Sequence, residues 1–120
     1  PFSNDVWPSD ITFSLNGIEL GTWTSPGDFA DTRGKFTPDW WPYNINQYGL
    51  LKTIRITSHG TYIDGDPLSA ISVQDLDTTC DRWTFRIEVK EDAEHVGGAT
   101  IFGKKFGNHD QDIEFKLYYL

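Results

Sequence analysis

The alternation of apolar and polar residues on either side of Asn16-Gly17 constrains the fold more than any other feature of the sequence. Residues 11–15 alternate in this way, and residues 18–22 resume the alternation beyond the dipeptide. A two-residue Asn-Gly loop is typical of a type I′ turn, because both of its central positions need a positive φ. The sequence therefore predicts a β-hairpin at this position.

The same two-residue period recurs nearer the C-terminus. Apolar residues occupy alternate positions in 83–89 and again in 113–119, and each run predicts a strand with one buried face. Weaker strand patterns, separated by Gly, Asp and Pro, cover 50–57, 61–63, 68–76 and 99–103. No stretch carries a sustained 3.6-residue apolar stripe, although 27–33 and 91–95 allow a turn or two of helix.

Seven or eight short strands predict an all-β fold, namely an antiparallel β-sandwich with jelly-roll-like connections. A chain of 120 residues has the size of one domain, so we expect a single sandwich domain over 1–120. Residues 23–49 follow no regular pattern, which predicts one long, irregular, aromatic-rich connection. A connection of that length is usually functional, unless an element has been misassigned.

The charge of the chain limits the classes of partner that it can bind directly. Eighteen acidic residues against ten basic ones give a formal net charge of −8, which argues against direct contact with nucleic acid or with an anionic membrane surface. No apolar run approaches the roughly 20 residues that span a bilayer. A single cysteine, Cys80, excludes an internal disulfide and favours a cytoplasmic location. The start at Pro1 and the lack of methionine lead us to expect a fragment of a longer protein.

Residues 37–49, TPDWWPYNINQYG, concentrate rings and amides inside the long connection. Flat rings stack on the apolar faces of sugars, while neighbouring polar side chains hydrogen-bond the hydroxyl groups. The candidate ligand-binding residues of the connection are Asp28, Arg33, Trp40, Trp41, Asn46, Gln47 and Tyr48. Because side chains alternate along an extended segment, we expect at most one of the two adjacent tryptophans to point inward. Two alternatives stay open: the rings pack the connection onto the sandwich, or they are buried in a homodimer interface.

A second candidate surface is FGKKFGNHDQDI, residues 102–113. Its further candidate ligand-binding residues are Asn108, His109 and Gln111. The oxygens of Asn108, Asp110 and Asp112 stand at alternating positions, which suggests calcium. However, the glycine and the distal glutamate of an EF-hand loop are absent, and we predict no metal site.

Catalytic chemistry has little support in the sequence. The three histidines are scattered, without the spacing of a metal site, and Cys80 lacks a nucleophile motif. Aspartates of the connection could act as a carboxylate pair on a glycoside, but their separation cannot be read from the sequence. We therefore predict no enzymatic activity, no catalytic residue and no cofactor.

Two long runs carry a resemblance to a known family. Residues 16–56, which include the blocks GTWTSPGDF, WWP and QYGLLKT, and residues 92–119, which include FGNHDQDI, resemble the C-terminal domain of bacterial winged-helix transcriptional regulators of the ArsR-like type. The resemblance extends from about Phe2 to Tyr119. It implies that a preceding helix-turn-helix domain binds DNA and that this chain is the sensor or oligomerisation half. The metal-sensing cysteines of ArsR proteins have no counterpart here, and the resemblance implies no particular ligand contacts.

Three interpretations of function remain. In the first, the chain is the effector domain of a bacterial regulator and binds a small, sugar-like ligand through 23–49 and 102–112. Because two states of the regulator differ in their affinity for that ligand, the ligand shifts DNA binding. In the second, the same fold is a carbohydrate-binding module of a secreted polysaccharide-degrading enzyme. In the third, it is a dimerisation module without a ligand. The aromatic residues alone do not separate these interpretations.

Overall fold

The computed structural model describes residues 8–26, 33–42, 47–77, 79–97, 101 and 103–118. They contain β1 (Ser9–Leu15), β2 (Ile18–Ser25), β3 (Ile54–Ile56), β4 (Thr61–Ile63), β5 (Asp66–Ser69), a one-turn 3-10 helix (Val73–Asp75) and β6 (Phe85–Val89). All strand pairs are antiparallel. The described chain thus consists of strands with almost no helix, as expected for an all-β protein.

The predicted hairpin is confirmed in β1 and β2. Asn16 and Gly17 form its turn with φ angles of 49° and 82°, which are the positive values that a type I′ turn requires. The register shifts beside Phe13, which pairs with Gly21. Gly21 has φ 142°, and a Cβ built on it would lie 2.6 Å from Leu68 Cγ. A glycine is therefore needed where β2 passes close to β5.

The six strands form two three-stranded sheets, ordered β2-β1-β6 and β3-β4-β5. Phe13, Leu15 and Leu20 of the first sheet share one buried apolar cluster with Ile63 of the second. Partly buried apolar side chains surround this cluster; they are Ile11, Trp23, Ile54, Ile56, Leu68, Ile71, Leu76, Trp83 and Ile87. The finer expectation, a jelly-roll sandwich, is not confirmed by these two small sheets.

Contacts divide the described residues into two compact units. Residues 8–26, 52–77 and 79–97 form the first, which we call the sheet unit because it contains all six strands. Residues 33–42, 47–51, 101 and 103–118 form the second, which we call the aromatic unit.

The prediction of a half-buried strand over 113–119 is wrong for the described residues 113–118. They belong to none of the six strands, and Ile113 and Leu117 are 64% and 44% exposed. Alternation in a sequence shows which face of a strand would be buried. It does not show that the segment joins a sheet.

The other strand predictions differ from the structure mainly in length. The strand predicted over 61–63 is confirmed, whereas the one over 50–57 is reduced to β3. The run 68–76 divides into the end of β5 and the 3-10 helix, and 83–89 yields a strand that starts at Phe85. The prediction for 99–103 falls mostly outside the described residues, and those it includes, 101 and 103, are not in a strand.

Irregular backbone was predicted for residues 23–49. The first three residues belong to β2, and the described remainder contains no strand element. The possible helical turn over 27–33 lies outside the described residues except for its last position. In 91–95 a turn is present, where the Ala93 amide donates to the Lys90 carbonyl at 3.1 Å.

Candidate functional site

Three rings of the aromatic unit pack edge to face, and we call Trp40, Trp41 and Phe106 the aromatic cluster. The ring centroids of Trp40 and Trp41 are 5.8 Å apart, and those of Phe106 lie 6.0 Å from Trp40 and 5.2 Å from Trp41. All three interplanar angles lie between 73° and 83°, the T-shaped geometry that the ring quadrupoles favour. Trp40 is 72% exposed, whereas Trp41 and Phe106 are partly buried. These exposures agree with the expectation that at most one of the adjacent tryptophans points inward, although residues 39–41 lie in a turn and not in the extended segment that the expectation assumed.

Arg33 fixes the loop that carries both tryptophans. Its guanidinium donates from Nη1 to the Pro38 carbonyl at 2.6 Å and from Nη2 to the Trp41 carbonyl at 3.2 Å. The Trp41 amide also donates to the Pro38 carbonyl at 3.0 Å. Because one rigid, planar group spans the two ends of the turn, the loop conformation is held without a regular element.

Thr37 joins this loop to two other segments of the aromatic unit. Its hydroxyl donates to the Gln47 carbonyl and accepts from the Gly107 amide at 3.0 Å. The Phe36 amide donates to the Gly107 carbonyl at 2.6 Å. Gly34 is needed at this junction, because a Cβ on it would lie 2.6 Å from the Cα of Gly107.

The loop 103–112 places Phe106 by capping its own backbone. The Lys104 amide donates to Asp112 Oδ1 at 2.9 Å, and the Lys105 amide donates to Asp110 Oδ1 at 3.2 Å. Lys105 has a left-handed φ of 67°, and these carboxylates hold the turn in which it lies. Asn108 Oδ1 accepts the Lys35 amide at 2.8 Å, which connects the turn to the tryptophan loop.

The same hydrogen bonds account for the oxygens that suggested calcium. Asp110 and Asp112 accept backbone amides of their own loop, as carboxylates commonly do in turns, and Asn108 accepts the Lys35 amide. In the part of the chain that the structure describes, no group of three or more His, Cys, Asp or Glu side chains is placed to hold a metal ion.

The predicted ligand-binding residues do not all lie at the cluster surface. Arg33, Trp40 and Trp41 come together, whereas Gln47 is only 2% exposed and its Nε2 donates to the Pro42 carbonyl at 2.6 Å. Tyr48, Asn108, His109 and Gln111 belong to the same unit, with Asn108 and His109 exposed and Tyr48 and Gln111 partly buried. Asp28 and Asn46 lie outside the described residues.

Sequence reasoning missed two members of this site. Phe106 completes the aromatic cluster, although the sequence indicated it only as part of the second candidate surface, and Thr37 joins the segments. Neither follows from periodicity, since each depends on contacts between residues about 70 positions apart. The available signal was shared composition: both segments are irregular, punctuated by glycine and rich in rings.

Asp10, Thr24 and His95 form a hydrogen-bonded cluster in the sheet unit. Asp10 Oδ1 accepts the Thr24 hydroxyl at 2.7 Å, and Asp10 Oδ2 accepts the His95 amide at 3.0 Å. These hydrogen bonds, with the Thr24 hydroxyl contributing most, lower the pKa of the Asp10 carboxyl. The His95 ring nitrogen Nδ1 lies 3.2 Å from Asp10 Oδ1. The cluster fastens the start of β1 to β2 and to the segment after β6.

A shallow groove of about 510 Å³ lies over β3 and β4 in the sheet unit. Arg55 and Tyr62, which are directly paired across the two strands, line it together with His59 and Asp64. Asp64 accepts the Thr53 amide at 2.8 Å and pairs with the Lys52 ammonium at 2.9 Å. The Thr53 hydrogen bond, followed by that of Lys52, lowers the pKa of Asp64.

No family model, curated protein or solved structure matches the chain. Among the described residues, no helix is both long enough and apolar enough to cross a membrane.

Proposed function

We propose that the aromatic unit binds a small sugar-like ligand on the exposed face of Trp40. The observation that supports this proposal is the combination of exposure and fixation at one ring. Trp40 is 72% exposed, yet its edge-to-face contacts with Trp41 and Phe106 hold the indole in one orientation. Large apolar side chains that are both rigid and accessible are typical of binding surfaces.

Rigidity matters because a ligand that stacks on a fixed ring does not need to order it. Arg33 and Thr37 fix the two loops through backbone carbonyls and amides, so little conformational entropy remains to be lost on binding. Two of the N–H groups of Arg33 serve the loop, and a guanidinium carries five. The remaining donors, with the exposed Asn108 and His109, are available to hydrogen-bond the hydroxyl groups of a sugar.

Within this proposal Gln47 has a supporting role. Its side-chain amide is buried and holds the Pro42 carbonyl, so it fixes the segment that follows the tryptophans. The ligand contacts proposed for the described residues are therefore Trp40, Trp41, Arg33, Asn108 and His109.

We further propose that the chain serves as the effector domain of a cytoplasmic bacterial transcriptional regulator. The support is the resemblance of residues 16–56 and 92–119 to ArsR-like C-terminal domains, together with the net charge of −8, which disfavours direct DNA contact by this chain. A ligand on Trp40 alters DNA binding only through a difference in its affinity for two states of the regulator. A carbohydrate-binding module would use the same ring. The parent gene separates the two functions: a helix-turn-helix domain upstream of Pro1 would support the regulator, and a polysaccharide-degrading domain would support the binding module.

Calorimetry against a panel of mono- and oligosaccharides tests the binding step. We expect at least one member to bind the wild type at millimolar concentration, binding to be lost in Trp40→Ala, and binding to be partly retained in Trp40→Phe, which keeps a flat ring. Tyr118→Ala is the matched control, because Tyr118 is an exposed ring of the same unit outside the aromatic cluster. A panel without any binding, or equal binding by Trp40→Ala, would overturn the proposal. If Trp40→Ala instead converts a dimer to a monomer, the ring belongs to an interface.

A further inference from the structure

The groove over β3 and β4 presents polar side chains on the face of the second sheet that is turned away from the apolar cluster. Arg55 of β3 and Tyr62 of β4 are directly paired across the two strands, and both line this groove. Ile54 and Ile56, the neighbours of Arg55 along β3, pack against the apolar cluster, so the alternation of side chains puts Arg55 on the opposite face. Because directly opposed residues have Cβ atoms about 5 Å apart, the strand pairing brings a guanidinium and a phenol together.

Three side chains of the groove have hydrogen-bonding groups that the described part of the chain does not use. Among the described residues, none hydrogen-bonds or forms an ion pair with the Arg55 guanidinium, the His59 imidazole or the Tyr62 hydroxyl. A guanidinium carries five N–H donors, and a phenol and an imidazole each carry at least one donor. The groove therefore offers several N–H and O–H donors to a bound molecule.

The positive charge of Arg55 is not neutralised within the part of the chain that the structure describes. Asp64 also lines the groove, but its carboxylate accepts the Thr53 amide at 2.8 Å and pairs with the Lys52 ammonium at 2.9 Å. Arginine is always charged, whereas the chain as a whole carries a net charge of −8. The groove therefore attracts an anion locally, against the charge of the chain as a whole.

Hydrogen bonds fix both ends of the groove. At one end the Asp64 amide donates to the Thr53 carbonyl at 2.8 Å, and the Thr53 amide donates back to the Asp64 carboxylate. At the other end the Thr57 amide donates to the Gly60 carbonyl at 2.8 Å, and the His59 amide donates to the Thr57 hydroxyl at 3.0 Å. The backbone that carries His59 is therefore ordered before a ligand arrives, which lowers the entropic cost of binding.

We propose that this groove binds a small organic oxyanion, a carboxylate or a phosphate ester, through the Arg55 guanidinium. A guanidinium holds either group with two parallel N–H···O hydrogen bonds, and the Tyr62 hydroxyl and the His59 ring line the same groove and can donate to the remaining oxygens. The groove volume of about 510 Å³ lies in the range of small-molecule sites, roughly 300–1,000 Å³. A water molecule takes only about 30 Å³, so an organic body fits beside the charged group. These residues belong to the sheet unit, and the proposal does not depend on the saccharide site at Trp40.

Amide chemical shifts of the complete 120-residue chain, titrated with benzoate and with phenyl phosphate, test this proposal. At least one of the two anions should give saturable shift changes at residues 53–65 in the millimolar range. The tighter binder shows whether the groove takes a carboxylate or a phosphate ester. Methyl benzoate keeps a ring and lacks the charge, and it should bind about tenfold more weakly than the better anion, or more weakly still.

Three variants show which side chains hold the anion. Arg55→Gln removes the charge at an exposed position and should weaken binding of the better anion about tenfold or more, whereas Tyr62→Phe removes only a hydroxyl and should weaken it about three- to tenfold. Arg82→Gln is the matched control, because Arg82 is an exposed arginine of the same unit outside the groove, and it should bind like the wild type. The amide spectrum of each variant also shows that the fold is retained.

Four results would overturn the proposal. The first is that neither anion shifts these amides at concentrations up to about 20 mM. The second is that methyl benzoate binds as tightly as the anions, and the third is that Arg55→Gln binds like the wild type. The fourth is that Arg82→Gln loses as much affinity as Arg55→Gln, because the binding would then follow the charge of the chain as a whole rather than the groove.

Discussion

Replacing Thr37 with valine removes one hydroxyl and leaves the shape of the side chain unchanged. Thr37 is only 6% exposed, and its hydroxyl donates to the Gln47 carbonyl and accepts from the Gly107 amide. The variant therefore deprives two backbone groups of a partner in a buried place. Each such loss costs roughly 1–3 kcal/mol, so we expect the two together to lower the free energy of unfolding by about 2–6 kcal/mol.

Urea denaturation and amide hydrogen exchange measure this effect at two levels. With a denaturant slope of about 2 kcal/mol per molar, the transition midpoint should move down by roughly 1–3 M. The Gly107 amide should also lose protection from exchange, because its acceptor is gone. Thr37→Ser is the control, since it keeps the hydroxyl and removes one methyl group worth about 0.8 kcal/mol. Equal stability of Thr37→Val and the wild type, with Gly107 still protected, would refute the role assigned to this hydroxyl.

Three further changes test other parts of the structure. Gly21→Ala should destabilise the sheet unit by about 1–3 kcal/mol in thermal unfolding. The reason is that the new Cβ would lie 2.6 Å from Leu68 Cγ and that a φ of 142° is unfavourable for alanine. An unchanged thermal unfolding transition would contradict the close approach of β2 to Leu68. Asp10 has a lowered pKa, so its contribution to stability is fully present above about pH 4 and is lost as the pH falls through the lowered value. In Asp10→Asn the free energy of unfolding should therefore depend less on pH in this acid range. An unchanged pH dependence would count against the role of Asp10. The lysine of Arg33→Lys cannot bridge two carbonyls with a planar fork. The variant should therefore bind saccharide more weakly and show red-shifted tryptophan emission. Wild-type affinity and wild-type emission would show that the bridge is dispensable.

The hairpin could be predicted from the sequence because its information is local. Asn16 and Gly17 specify the turn, and the alternation on either side specifies which face is buried. The ends of β3 and β5 were less predictable, because a ladder stops where the partner strand stops, and both strands pair with β4, which has only three residues. The segment 113–118 shows the same limit more strongly, since its pattern is that of a strand although these residues belong to none of the six strands.

The candidate site, like the fold, was predictable from the sequence only where the information is local. Composition drew attention to Trp40 and Trp41, and alternation predicted that at most one of them points inward. The contacts of Phe106 with both rings depend on bringing residues about 65 positions apart together, which no local pattern encodes. Gln47 illustrates the converse, because an amide suited to hydrogen-bonding a sugar is instead buried against the Pro42 carbonyl.

The central claim is that Trp40 is the ring on which a ligand stacks. The most direct measurement is the indole N–H spectrum of the five tryptophans during titration with the saccharide selected by calorimetry, with the Trp40 resonance assigned by its loss in Trp40→Phe. We predict a saturable shift that is largest for Trp40, with little change at Trp23 and Trp83, which pack against the core of the sheet unit. A Trp40 resonance that stays in place while the saccharide binds would contradict the account.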